Sequence, residues 1–219
     1  MARRALGDKE KEERRGDILT LAGSLLAHRS YEEIRMADIA ADLGLAKGTL
    51  YLYFPSKESL FLSLLAESLD KALERILEAV AQPQASIDAI ASAASSFLAQ
   101  NPTLPRLLAM VHSVLEQNVP WEEAVAFKRR LADFIQSAAS GIAGKIPGLG
   151  PREATKFFLY LYAQIVGLVQ LTDISPFMAR IGAEPGLGVF RLGLEETLRD
   201  SARAILVGLV SEGDRPPAP

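Results

Sequence analysis

Apolar positions recur at helical spacing along nearly the whole chain, and no run alternates in the way a half-buried strand does. Ile18, Leu21, Ala22, Leu25 and Leu26 form a stripe at i, i+3, i+4, i+7 and i+8, which predicts a first helix over about 10–28. Ile39, Ala40 and Leu43 mark one face of a short second helix. Gly44 then supplies the positive φ that ends it, and Leu45 and Leu50 close a third helix against it. Pro55 and Ser56 start a longer helix reaching about Ala81, with Leu60, Leu64, Leu65, Leu69, Leu73, Ile76, Leu77 and Val80 apolar, and Pro83 stops it. Prolines punctuate the remainder into helices at about 84–100, 103–117, 120–144, 151–172 and 191–210. The predicted fold is all-α, with an N-terminal three-helix helix-turn-helix domain at 1–55, a larger helical domain at 56–212 and a disordered tail at 213–219.

Two short helices joined at a glycine, with small Ala40 letting their backbones approach, have helix-turn-helix geometry. With Leu50 turned inward, the second helix presents Lys47, Gly48, Thr49, Tyr51 and Tyr53 outward, a set of donors and aromatic edges suited to a major groove. Arg35 before the first of the pair and Lys57 at the start of the next helix stand ready for phosphates. The plainer alternative is an amphipathic helix pair inside an ordinary helical domain or a protein-binding adaptor.

The string LAKGTLYLYFPSKESL resembles the helix-turn-helix signature of the TetR family of bacterial transcriptional regulators, commonly written SKGTLYYYFPSKEAL. The resemblance covers roughly residues 12–65 and extends to the rest of the chain only in helical character and length. It implies a repressor that binds a near-palindromic operator in double-stranded DNA as a homodimer and is released by a small effector. Three positions depart from the pattern. Ala46 stands where Ser usually caps the recognition helix, a change worth about 1 kcal/mol locally. Arg35 replaces a Ser or Thr, and Leu52 replaces a common aromatic.

Composition narrows the function classes. The net charge is −3, and basic and acidic residues balance over residues 1–60, so any DNA surface is local and two subunits are needed for affinity. The absence of cysteine removes disulfides, thiolate metal sites and cysteine nucleophiles, and fits a cytoplasmic location. The opening MARRALGDKEKEERR lacks an apolar core and reads as a charged, frayed arm rather than a signal peptide. Phe157 to Leu171 is the longest apolar stretch, shorter than a bilayer requires and interrupted by Gln164 and Gln170, so no membrane span is expected. No nucleophile elbow or phosphate loop is present, and of the two histidines, His28 and His112, only His112 has a second candidate metal ligand, Glu116 at i+4, with no third nearby. Neither an enzyme nor a cofactor is expected.

The resemblance places effector binding and dimerisation in the second domain. Dimer candidates are Phe157, Phe158, Leu161, Ile165 and Leu168 on the helix at 151–172, and Leu194, Leu198, Ala202 and Ile205 on the last helix, the alternative being that these stripes fill the monomer core. Ligand candidates are His112, Gln117, Trp121, Tyr160 and Gln164, polar or aromatic groups set in apolar helices around a hydrophobic effector.

Overall fold

The computed structural model describes residues 2–81, 85–172 and 180–213, and the backbone alone for residues 2–8, 212 and 213. All regular structure among these residues is helical. Residues up to Glu67 together with Met110–Phe127 form one unit, and Ser68–Ala109 with the residues from Lys128 onward form another.

The first unit is built on α1 (Ala2–His28), which begins well before the predicted residue 10. The supposed arm is therefore helical. It is rich in Arg, Lys and Glu, all good helix formers, and Lys9 pairs with Glu13 at 3.6 Å on the exposed face. Ile18, Leu19, Ala22 and Leu26 of α1 are buried, so Leu19 joins the predicted stripe while Leu21 and Leu25 lie at its margin. Against α1 packs α2 (Met36–Asp42), and on α2 packs α3 (Lys47–Tyr53), with Met36, Ile39 and Ala40 of the one and Leu50 of the other buried.

The turn between α2 and α3 is a Schellman motif. The Gly44 N–H donates to the Ala41 carbonyl at 3.0 Å and the Leu45 N–H to the Ala40 carbonyl at 2.8 Å, satisfying two carbonyls the helix end would leave open. Gly44 has φ +64°, as the sequence predicts. No atom lies within 4 Å of a Cβ built there, so only backbone strain opposes a side chain. Gly44→Ala is accordingly expected to cost about 1–2 kcal/mol, the price of a left-handed alanine. A melting temperature unchanged from wild type would show that the turn relaxes to another geometry.

The long α4 (Lys57–Val80) starts at Ser56, whose Oγ accepts from the Ser59 N–H at 3.0 Å. The Ser56 hydroxyl also donates to Ser59 Oγ at 3.1 Å, and buried Ser59 donates in turn to Glu123 Oε2 at 2.9 Å. This chain of hydrogen bonds joins α4 to the Met110–Phe127 segment within the first unit. That segment is where the predicted helix over 103–117 fails. After α6 (Thr103–Met110) the backbone widens into a π-helical turn at Val111–Leu115 and tightens into a 3-10 turn at Glu116–Asn118. Val111 and Leu115 are fully buried there, so tertiary packing sets this backbone against the ordinary α spacing.

The second unit holds the C-terminal part of α4, α5 (Ile87–Gln100), α6, the C-terminal part of α7 (Trp121–Ile142), α8 (Pro151–Thr172) and α9 (Leu194–Gly213). Ser86 caps α5 through Ala89 N–H at 3.1 Å, and α9 packs on α5 and α8. Arg203 Nε donates to Asp88 Oδ1 at 2.8 Å, which fastens α9 to α5 at their exposed rim. At 22 residues, α8 is long and apolar enough to cross a bilayer by length and composition, beyond what the run Phe157 to Leu171 suggests. Its Ala154, Phe157, Phe158, Leu161, Ile165, Leu168 and Val169 are buried inside the unit, as in the core helix of a globular domain. Pro83 and residues 214–219 of the expected tail lie outside the described residues.

Candidate nucleic-acid interface and effector cavity

The outward face of α3 carries Lys47, Gly48, Tyr51 and Leu52, all exposed, while Thr49 and Tyr53 are half-buried at its sides. Lys47 Nζ sits 5.9 Å from the Tyr51 ring centroid, one helical turn away, so cation and aromatic form a single lip. Ala46 caps α3 with backbone alone, as its side chain dictates. Arg35 is exposed and places no side-chain cap on α2, which leaves its guanidinium directed outward. Leu52 is missing from the sequence-derived set. It is the most exposed large apolar side chain among the described residues, 82% open. Leucine is scored as core by any hydrophobic pattern, and only the phase of a seven-residue helix reveals otherwise.

Lys57 has partners within the chain. Its ammonium donates to the Tyr31 carbonyl and lies 3.8 Å from the centroid of the same tyrosine ring. Burial lowers its pKa, opposed by the charges of Glu58 and Glu32. Tyr31 donates its hydroxyl to Glu58 Oε1 at 2.8 Å and meets the Phe61 ring edge-on at 5.3 Å. The turn between α1 and α2 is thus stapled to the start of α4, and this staple seats the helix-turn-helix. Sequence periodicity holds no signal for it, because its members lie 26 to 27 residues apart.

Burial, the hydrogen bond to Glu58 and the charges of Glu58 and Glu32 all raise the pKa of Tyr31 far above that of a free tyrosine. The stability this contributes is complete below the unfolded pKa of about 10, and is lost as pH climbs above it because the unfolded chain releases its proton first. Lys57 works the other way: its lowered pKa weakens the fold at neutral pH, and the deficit fades as pH approaches about 10.4. Tyr31→Phe should cost about 1–2 kcal/mol at pH ~7 and erase the tyrosine's share of the alkaline loss. Urea midpoints of the two proteins should converge above pH ~10, and a constant gap would remove Tyr31 from the titrating groups.

The second unit holds a partly open apolar cavity of about 80 Å³, where a water needs roughly 10–15 Å³. Leu69, Ala72 and Ile76 of α4, Ala94, Phe97 and Leu98 of α5, Leu104 and Leu108 of α6, Leu131, Phe134 and Ile135 of α7, and Phe158, Leu161, Tyr162 and Ile165 of α8 line it. Tyr162 is the one lining residue with a polar side-chain group, and its hydroxyl donates to the Leu108 carbonyl at 3.3 Å.

None of the five ligand candidates lines this cavity. His112 and Gln117 are exposed in the first unit, where His112 Nδ1 lies 3.1 Å from Glu116 Oε2 and Gln117 Nε2 donates to the His112 carbonyl at 2.7 Å. Trp121 is 76% exposed, and Tyr160 and Gln164 face outward from α8. The polar groups sought as anchors are surface groups of amphipathic helices, and the wall is built of plain core residues. The dimer candidates need the same correction. Phe157, Phe158, Leu161, Ile165, Leu168, Leu198 and Ala202 are buried within the chain's own second unit, with Leu194 and Ile205 half-buried, so the stripes fill the monomer core. Among the described residues no group of three or more His, Asp or Glu side chains is placed to hold a metal ion.

A helix-turn-helix with an exposed basic and aromatic face, joined to a helical unit around an apolar cavity, defines a DNA-binding regulator. Residues 18–64 match the family model described as bacterial regulatory proteins, tetR family, and residues 63–213 match that of the tetracyclin repressor-like C-terminal domain. The chain belongs to the TetR family of bacterial transcriptional regulators. The Fatty acid metabolism regulator protein of Bacillus subtilis is 34% identical over 70 residues, 32% of this chain and 36% of that protein. The HTH-type transcriptional repressor KstR of Mycobacterium tuberculosis is 26% identical over 144 residues, 64% of this chain and 66% of that one. The chain thus spans about one third to two thirds of these curated relatives. Among solved structures, the transcriptional regulator FadR from Bacillus subtilis in complex with stearoyl-CoA shares the fold with a TM-score of 0.53 at 22% identity, covering 88% of this chain and 97% of that one.

Proposed function

We propose that this regulator is a repressor that binds a near-palindromic operator as a homodimer and releases it when a ligand with a long apolar chain widens and fills the cavity of the second unit, whose volume of about 80 Å³ falls short of the roughly 300–1,000 Å³ that small-molecule sites occupy. The cavity wall carries the reading: fourteen of its fifteen residues have apolar side chains, and Tyr162 supplies a single hydroxyl. Such a wall selects by volume and apolar area rather than by charge. The relative solved with stearoyl-CoA supports an acyl chain as the ligand class. The dimer forms through the outward faces of α8 and α9, where Tyr160, Ala163, Gly167 and Leu171 of the one and Ala204, Val207 and Gly208 of the other make apolar, small-residue stripes at helical spacing. Localisation in the cytoplasm follows from this role.

In each subunit Lys47, Gly48, Thr49, Tyr51 and Tyr53 address the major groove, and Arg35 a phosphate. Lys57 serves the interface through Tyr31 as well as by charge. Release is a population shift: the ligand favours a dimer whose two recognition helices no longer match one DNA turn, and α4 and α7, each of which runs through both units, are the continuous elements available to carry it. Selection of bound sequences from a random DNA pool, followed by titration of the winner with acyl-CoA thioesters and free fatty acids, tests the reading. A palindromic operator released by long chains and indifferent to short ones is the expected result. An operator whose affinity no acyl compound alters would reject the ligand class, and a pool without enrichment would reject the regulator.

A further inference from the structure

Gly48 sits inside α3 without a structural reason to be glycine. Its φ is not among the positive values found at Gly44, Gly144, Gly148 and Gly186, and no atom lies within 4 Å of a Cβ built on it. Even in the first turn, where Gly48 stands, a glycine holds a helix less firmly than alanine, so the fold gains nothing from its presence. One turn later Leu52 stands 82% open to solvent, against 39% for its neighbour Tyr51. Residues four apart share a helix face, so a bare stretch of backbone and an unburied isobutyl group lie side by side. Lys47 and Tyr51 border them with donors. A lone leucine framed by an ammonium and a phenol is too small an apolar area to seat a protein partner. On the edges of base pairs in a major groove the apolar feature is the C5-methyl of thymine.

We infer that Gly48 and Leu52 form a bare apolar strip which admits the recognition helix close to the groove floor and packs Leu52 on a thymine methyl, making Leu52 a specificity-determining residue. The inference rests on the operator-binding reading above. It assigns sequence preference to a position where the chain departs from the aromatic of the family signature.

The test uses the full chain and the operator selected from the random pool, with each thymine replaced singly by deoxyuridine, which removes the methyl and nothing else. Wild type should bind about fourfold more weakly when the contacted methyl is lost, and about fifteenfold when it is lost from both half-sites. Leu52→Ala should start weaker by a similar factor and be indifferent to deoxyuridine at that position, with its salt dependence unchanged. Gly48→Ala should melt about 2–4 °C higher and bind the operator roughly tenfold more weakly, since its added methyl stabilises the helix and holds the groove away. A wild type that binds the operator with no deoxyuridine penalty, or a Leu52→Ala protein that keeps the penalty, overturns the assignment and leaves the regulator standing. Unchanged affinity in Gly48→Ala overturns the close approach. Failure of wild type to enrich any sequence overturns the regulator reading and this inference with it.

Discussion

Phe61→Ala is expected to destabilise the first unit by about 3–5 kcal/mol, a large share of the roughly 5–15 kcal/mol that holds a domain folded. Phe61 is fully buried on α4, and its ring meets Tyr31 edge-on at 5.3 Å. Tyr31 in turn accepts from Lys57 and donates to Glu58, so the cavity left by the ring opens beneath the staple that seats the turn between α1 and α2. The melting temperature should fall by roughly 10 °C or more. Operator affinity should fall further than the folded fraction alone explains, because the turn between α1 and α2, which leads into the helix-turn-helix, loses its footing on α4. Calorimetry alongside operator titration separates the two effects. A variant that melts lower but binds undiminished per folded molecule would show that the staple serves stability alone.

Ala94→Phe should abolish the ligand response and leave operator binding intact. Ala94 is 8% exposed on α5 and lines both the apolar cavity and a smaller void bordered by Phe157. A phenyl group directed there occupies space an acyl chain needs, and filling an existing void costs less than inserting the same atoms into a packed core. Allosteric coupling of about 1–3 kcal/mol predicts that saturating ligand raises the wild-type operator Kd by about 5- to 150-fold. The variant should show less than about a twofold change under the same ligand concentration, with a circular dichroism melt confirming its fold. A full response from a folded Ala94→Phe protein would place the effector elsewhere.

These variants probe features of unequal visibility in the sequence. The turn at Gly44 was legible because it is local: a positive φ, two backbone hydrogen bonds and flanking apolar residues all fall within six positions. The helix starting at Ser56 was legible for the same reason, its cap lying three residues from the N–H it serves. The outward set on α3 followed from the burial of Leu50, yet Leu52 escaped it, because hydrophobicity alone does not say which leucine of a short helix faces in. The π turn at Val111–Leu115 leaves no mark in a sequence that predicts plain helix there, since its cause is packing rather than composition.

The ligand candidates lie outside the cavity, and most of the dimer candidates are buried within the second unit, for one shared reason. Pattern alone offers the polar and aromatic groups between His112 and Gln164 as anchors and the apolar stripes of α8 and α9 as an interface, whereas within one chain α9 already packs on α5 and α8, and the stripes are largely buried there. Helical periodicity identifies the buried side of a helix and is silent on whether its own chain or a second copy buries it.

By itself the sequence determined an all-α chain with an N-terminal helix-turn-helix, because helix period, capping and turn chemistry act over a few residues and are written into adjacent positions. Only the tertiary structure decided which core residues recede to leave a cavity, that Lys57 and Glu58 hold Tyr31, and that Met110–Phe127 belongs with the first unit. Those outcomes depend on side chains brought together from distant parts of the chain, where packing geometry, and no local pattern, chooses the neighbours.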